Sequence, residues 1–285
     1  FEPSGSLSGL FRVRCFHQDD AHIFMQPEDI QKEILGVLSL VEEMYSTFGL
    51  TYEIELSTRP EKNTIGTDED WKIATEGLVS ALVAFGKPYH IHEGDGAFYG
   101  PKIDLKVHDA LGRKWQCGTI QLDMALPERF DLEYTSSDGT RKRPVMIHRV
   151  IYGSIERFLG SLIEFYSGKF PLWLSPSQIS LIPVADRHVP YARVLEKAFK
   201  EHNYEVFVDD SNESVSKKVR LAQISHYNYI LTIGDIEVEH KSMNVRTFDN
   251  VVHGEMTLDA LLKELNLERS EKALVSRLSA NKPKA

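Results

Sequence analysis

The chain has 285 residues, enough for two domains, and its 42% hydrophobic and 26% charged residues are ordinary proportions for a globular protein. Its 42 acidic against 33 basic side chains give a formal net charge of −9, which excludes a non-specific nucleic-acid binder held by overall charge and leaves room only for a local basic patch. No apolar run approaches the ~18–20 residues of a membrane span, and two cysteines, Cys15 and Cys117, make no disulfide framework, which fits a reducing compartment.

In chain order, 2–10 is a Pro/Gly/Ser-rich loop. Arg12 to Phe24 reads as a strand; residues of equal parity on a strand share a face, so Arg12, Arg14, Phe16, Gln18, Asp20 and His22 are expected side by side. Two guanidinium forks, an aromatic ring, an amide, a carboxylate and an imidazole on one face suit a ligand that is anionic, aromatic and amine-bearing. Ile30, Ile34, Leu38, Val41, Met44, Tyr45 and Phe48 follow the helical period, predicting a helix over 28–48 with Gly49 after it. A strand over 51–57 and a helix over 68–85, ended by Gly86, come next. Strands at 102–107 and 114–123 form a hairpin, strands at 129–135 and 144–148 flank a turn at 136–139, and a mostly apolar helix covers 151–166. Clustered strands with few helices between them predict an α+β domain: an antiparallel sheet with flanking helices.

Pro171, Trp173, Pro176 and Ser177 mark a boundary, placing the domains at 1–174 and 175–285. Beyond it strands at 178–184, 205–208, 229–233 and 244–247 alternate with helices at 189–202, 215–226 and 258–265, the pattern of a small α/β domain with parallel strands. From Glu268 the chain becomes highly charged, and its last residues read as frayed.

Four stretches in order carry a family resemblance: Glu2-Pro3-Ser4-Gly5 with Arg12 through Phe24, Leu56 through Lys62, Gly96 through Lys102, and Met146 through Arg149 running into Gly153 through Phe158. Together they resemble the class II aminoacyl-tRNA synthetases, and Gln18-Asp19-Asp20-Ala21-His22-Ile23-Phe24 resembles the threonyl branch. The resemblance extends to the end of the chain. It implies a class II catalytic domain, lacking its N-terminal part, followed by an anticodon-binding domain. The implied activity is a threonine–tRNA ligase, which joins threonine to the α-phosphate of ATP and then passes it to the 3′ end of tRNA(Thr). The implied cofactors are one Zn²⁺ per subunit and ATP with Mg²⁺. The implied assembly is a homodimer in the cytoplasm, with an organellar matrix as the other compartment open to it and no membrane partner. A second reading is a catalytically inactive synthetase-like RNA-binding protein; retention of Arg12, Phe16, Gln18, Asp20, His22, Tyr99 and Arg157 as a set favours the enzyme.

The resemblance assigns residues as follows. Arg12 and Arg157 would act on the phosphates of ATP, a task suited to a bidentate fork; Phe16 would stack on adenine and Glu2 would contact its amine. Gln116, Thr119 and Ser154 would line the same pocket. Gln18, Asp20, Tyr99 and Gln121 would hold threonine, with Asp20 accepting its hydroxyl. His22 and His148 would bind the Zn²⁺, completed in the family by a cysteine that lies before Glu2. Cys15 has the wrong parity for that task, and Cys117 lies in a run that lines the substrate pocket without ligating metal. In the second domain Asn212, Arg220, Glu237 and Arg246 match anticodon-reading positions, where loop bases are recognised on their edges.

Each candidate also has a plain structural reading: Arg157 as a helix-surface arginine, the histidines as hydrogen-bonded core residues, Tyr99 as packing, and the anticodon candidates as solvated surface. One geometric expectation follows from the assignment that the resemblance implies. Thr119 and Gln121 share a face while Gln116 has opposite parity, so a shared pocket requires a bulge between them, at Gly118.

Overall fold

The computed structural model describes residues 3, 5–109 and 112–280, and the chain divides into two compact units, Phe1–Phe165 and Tyr166–Ala285. In the first unit β1 (Ala21–Met25) leads through a 3₁₀ turn at Pro27–Asp29 into α1 (Ile30–Thr47). There follow β2 (Tyr52–Ser57), α2 (Asp68–Phe85), β3 (Tyr89–His92), β4 (Lys102–His108), β5 (Lys114–Asp123) and α3 (Ala125–Arg129). A short hairpin of β6 (Tyr134–Thr135) and β7 (Arg141–Lys142), then β8 (Val145–Val150) and α4 (Ile155–Phe165), complete it.

Six strands form one sheet in the order β1-β8-β5-β4-β2-β3, antiparallel except for the parallel pair β2–β3. The sheet is two-faced because its strands alternate. Ile54 and Leu56 of β2, Ile103 and Leu105 of β4, Ile120 and Leu122 of β5 and Ile147 of β8 are fully or almost fully buried, as are Ile34, Leu38 and Tyr45 on α1 and Leu78 and Leu82 on α2. Tyr45 marks the helix-covered face: its buried hydroxyl donates to the Ile151 carbonyl at 2.6 Å. The opposite face carries the polar partners from the same strands: Glu55 beside Asp104, Asp104 beside Thr119, Gln121 beside His148, and His148 beside His22.

The expected bulge is present. Leu105 pairs with Gly118 but Lys106 pairs with Gln116, so Cys117 is the extra residue and Gln116 rejoins the polar face. Glycine is required at 118 by close approach: a Cβ there would stand 2.7 Å from Leu105 Cδ1 and 3.0 Å from both the Ile151 carbonyl and Tyr45 Oη.

Several elements depart from the sequence expectation. The strand expected over 12–24 is ordered as strand only from Ala21; before it the chain runs irregularly, tied by single bridges at Ser8–Arg12 and Gln18–Ser154. The strand expected at 129–135 is strand only at Tyr134–Thr135; ahead of it α3 runs to Arg129 and the chain then turns, with Asp123 Oδ1 accepting the Ala125 and Leu126 N–H groups at 2.8 and 2.9 Å where α3 starts. The helix expected from Ile151 begins at Ile155, since Gly153 (φ 75°) makes a turn and Ser154 Oγ caps the Arg157 N–H. β3 is a four-residue, mostly exposed edge strand, too short for the alternation of Tyr89 and Ile91 with His90 and His92 to reveal it.

The second unit contains β9 (Ile179–Pro183), α5 (Val189–Glu201), β10 (Val206–Val208), α6 (Val215–Ile224), β11 (Tyr229–Ile233), α7 (Asp235–His240), β12 (Ser242–Thr247), β13 (Val252–Thr257), α8 (Leu258–Ser270) and α9 (Arg277–Ala280). Its sheet runs β10-β9-β11-β12-β13. Only the first three strands are parallel; β12 and β13 are antiparallel, because residues 234–241 are too few for the crossover of a dozen or more residues that a parallel return needs. Leu172 is fully buried in this unit's core with Ile179 and Leu181, so the Pro171–Ser175 turn belongs to the second unit, and the division falls before it rather than after Leu174.

Candidate active site

A cavity of about 410 Å³ opens on the polar face of the first unit. It is lined by Arg12, Phe16, Gln18, Gln116, Thr119, Ser154 and Arg157, all singled out in the sequence, together with Phe11, Val13, Cys117, Val150 and Gly153. Three separate segments meet there. The 11–18 segment supplies one wall, β5 with its bulge a second, and the turn into α4 a third.

Local chemistry explains how they are held. Arg157 Nε donates to the Phe11 carbonyl at 3.0 Å, and its guanidinium lies 5.9 Å from the Trp115 ring centroid. Glu156, next to it, clasps the other segment: its carboxylate accepts the His17 N–H at 3.1 and 3.2 Å, lies 2.9 Å from His17 Nδ1, and accepts from Ser154 Oγ at 3.0 Å. The His17 contact first, then backbone N–H groups and Ser154, hold its pKa down to about 2. Asp19 makes a parallel tie, accepting the Ile151 and Tyr152 N–H groups at 2.9 and 3.0 Å. Cys117 is buried at the cavity floor, and desolvation pushes its thiol up to about 12, so it stays protonated.

Beside the cavity lies the second cluster. His22, His148 and Gln121 are consecutive cross-strand partners on β1, β8 and β5. The two imidazoles meet edge to face with centroids 4.6 Å apart, and the Tyr99 ring centroid is 5.7 Å from that of His148. Tyr99 donates to Gln121 Oε1. Burial first, then the charges of Asp123 and Asp20, raise the Tyr99 pKa, so its phenol is a hydrogen-bond donor at neutral pH.

Behind His148, Nε2 lies 2.9 Å from Oδ2 of the fully buried Asp123. Burial pushes the Asp123 carboxyl up, but the His148 bond and two backbone N–H groups outweigh it, and the net shift is down. A carboxylate at Nε2 places the proton there and leaves the lone pair on Nδ1, the arrangement of a metal-binding histidine backed by a carboxylate. Among the described residues no set of three His, Cys, Asp or Glu side chains converges as a complete metal site. The chemistry of the donor pair fits a metal; the pair alone does not complete a site.

Glu2 lies outside the described residues. Asp20 is exposed, ahead of β1, where the chain is not yet strand. In the second unit Asn212 and Arg220 are exposed, in the turn before α6 and on α6 itself. Arg246 pairs across strands with Ile230, which packs against Ala222 of α6, so it sits on the face that α6 covers and donates to the side chain of Asn250. Glu237 spends one carboxylate oxygen on the Gly234 N–H at 2.8 Å, capping α7. Asp19, Asp104, Asp123 and Glu156 were not singled out in the sequence; each acts through a partner distant in the chain, which no local pattern announces.

Residues 1–166 match the tRNA synthetase class II core domain (G, H, P, S and T), and residues 178–267 match the anticodon binding domain. Threonine–tRNA ligase of Protochlamydia amoebophila is 70% identical over 272 residues, covering 95% of this chain and 42% of that protein. The Chlamydia caviae threonine–tRNA ligase is 57% identical over 274 residues, covering 96% and 43%. The chain therefore spans less than half the length of these curated relatives. Among solved structures, the RNA binding domain of threonyl-tRNA synthetase from Cryptosporidium parvum superposes with a TM-score of 0.88 at 42% identity, covering 97% of this chain and 69% of that one. A putative threonyl-tRNA synthetase from Aeropyrum pernix superposes with a TM-score of 0.79 at 30% identity, covering 99% and 68%. With both domain types in order and the threonyl likeness running across nearly the whole chain, the protein belongs to the threonyl-tRNA synthetase family of class II aminoacyl-tRNA synthetases.

Proposed function

We propose that this chain supplies the ATP- and threonine-binding face and the anticodon-binding domain of a threonine–tRNA ligase. One observation carries the reading: two arginines, two aromatic rings and four uncharged polar side chains from distant segments wall one cavity, and the His22–His148–Gln121 row adjoins it.

In the proposed reaction a threonine carboxylate oxygen attacks the α-phosphorus of ATP in line, and the bond to pyrophosphate breaks. A ribose hydroxyl at the tRNA 3′ end then attacks the adenylate carbonyl, and AMP leaves. Little covalent chemistry falls to the protein; positioning and positive charge supply the rate. Arg12 and Arg157 bind phosphate oxygens, Phe16 offers a face to adenine, and Gln116, Thr119 and Ser154 fix the nucleoside. Gln18, Tyr99 and Gln121 orient the amino and carboxyl ends of threonine, and Asp20 accepts its hydroxyl.

His22 and His148 would hold a Zn²⁺ together with a further ligand. Bound there, the ion would supply Lewis-acid chemistry for orienting the polar groups of the substrate. Mg²⁺ accompanies ATP, and the whole protein works as a homodimer on tRNA(Thr). Among the described residues no helix is long and apolar enough to cross a membrane, and Cys117 is a buried free thiol; both are consistent with a cytoplasmic or organellar-matrix enzyme. Asn212, Arg220, Glu237 and Arg246 would read anticodon bases.

The test separates the two units. In the full-length protein Arg157→Ala should abolish both threonine-dependent ATP–pyrophosphate exchange and tRNA charging. Arg246→Ala should lower charging and spare exchange. Equal loss in both assays for Arg246→Ala would remove its anticodon assignment, and exchange that survives Arg157→Ala would remove the phosphate assignment.

A further inference from the structure

Beneath the cavity one buried carboxylate gathers donors from three strands. Asp104 on β4 is 2% exposed. Its Oδ1 accepts from Gln116 Nε2 at 2.6 Å and from Thr119 Oγ1 at 3.3 Å, both on β5. Its Oδ2 accepts from Lys102 Nζ at 2.5 Å and from Ser57 Oγ, on β2, at 3.2 Å. The bulge makes this convergence feasible, because it returns Gln116 to the face that Thr119 already occupies.

We propose that Asp104 is a positioning residue that sets the hydrogen-bonding polarity of the nucleotide cavity. A glutamine amide can present either its carbonyl or its NH₂ group. With Nε2 committed to the carboxylate, Gln116 turns Oε1, an acceptor, toward the cavity; the flipped amide would set oxygen against oxygen. Thr119 is fixed in the same way. Its hydroxyl proton goes to Asp104, and its lone pairs receive Gln121 Nε2 at 3.4 Å, which leaves Gln121 Oε1 to accept from Tyr99. The order of donors and acceptors from the nucleotide end to the amino-acid end of the site is thus propagated from one carboxylate. Lys102, 14% exposed at its side chain, compensates the buried charge. A ligand group that meets Gln116 must therefore be a donor, such as a hydroxyl or an exocyclic amine of a nucleoside. This inference rests on the nucleotide reading of the cavity.

Asp104→Asn keeps the shape but carries its own NH₂ group, which lets the Gln116 amide flip and present a donor. ATP binding to the 285-residue chain, measured by calorimetry, should weaken about tenfold in Asp104→Asn and about tenfold in Gln116→Leu. The double variant should be no weaker than either single one, because both remove the same contact. Unchanged affinity in Asp104→Asn, or losses that multiply in the double variant, overturns the proposal. A second measurement needs no ligand. The Gln116 side-chain NH₂ resonances, identified by their loss in Gln116→Leu, should exchange slowly with water in the unaltered chain and fast in Asp104→Asn. If the unaltered chain binds no ATP, the nucleotide reading falls, and the exchange rates alone decide the role of Asp104. If Asp104→Asn does not fold, a Gln116 side-chain amide that exchanges in the unaltered chain as fast as that of an unstructured glutamine still overturns it.

Discussion

His22 and His148, on strands contributed by opposite ends of the first unit, are direct cross-strand partners whose imidazoles meet edge to face at 4.6 Å between centroids. Among the described residues, a carboxylate backs His148 of the pair: Asp123 Oδ2 stands behind His148 Nε2, while Oδ1 is occupied with the start of α3. This division of labour allows a clean test. Asp123→Asn keeps an oxygen for the helix cap and loses the charge behind the imidazole. Zn²⁺ affinity of the full-length protein, read by competition with a chelating dye, should fall about 10–100-fold, the usual effect of removing such a supporting partner. His148→Ala should lose the ion altogether. Undiminished affinity in His148→Ala would remove both histidines from the metal site.

On the proposed assignment, selectivity would follow from the same pair and Asp20. A pocket built around a substrate hydroxyl leaves its groups unpaired when valine enters, and such sites reject the analogue by roughly 10⁴–10⁵. Serine keeps the hydroxyl and lacks a methyl group, a difference of only about 10–200-fold. Exchange rates of the full-length enzyme should therefore rank threonine over serine over valine, with the large gap before valine. Activation of valine as fast as serine would show that the hydroxyl is not read.

The Glu156 clasp on His17 predicts a pH dependence. Its carboxyl is lowered from an ordinary 4.5 to about 2, so its contribution to stability is fully present above about 4.5 and is lost as pH falls through about 2. A carbon-13 titration of the Glu156 carboxyl should show a midpoint near 2. His17→Ala should move that midpoint upward, since the His17 contact is the largest cause. A midpoint that stays put in His17→Ala would mean that Ser154 and backbone N–H groups hold the charge alone.

Tyr45→Phe tests the tie between α1 and the turn ahead of α4. The substitution deletes only the hydroxyl that donates to the Ile151 carbonyl in a fully buried setting. It should cost about 1–2 kcal/mol, which lowers the melting temperature of the first unit by a few degrees. A melting temperature within error of the unaltered chain would show that the carbonyl finds another donor.

The sequence by itself determined the longer helices and most of the strands, because α1, α2 and α5 carry their apolar stripes locally and β2, β4 and β5 alternate within a few residues; the short α3, α7 and α9 carry no such stripe. Arg12, Phe16, Gln116, Thr119, Ser154 and Arg157, picked out by the family resemblance, line one cavity, and the bulge that a shared pocket for Gln116 and Thr119 requires is present one residue earlier than expected, at Cys117 rather than Gly118. Tertiary structure alone decided what holds them. The segment before β1 is not strand, and its register depends on Glu156 and Asp19 meeting residues far away in the chain. The α7 turn sends β12 back antiparallel because too little chain separates it from β11. Asp104 and Asp123 look like ordinary strand carboxylates in sequence. They became organisers only when the sheet was assembled, because the free energy of a buried carboxylate depends on donors delivered by other strands, and local sequence carries no record of that delivery.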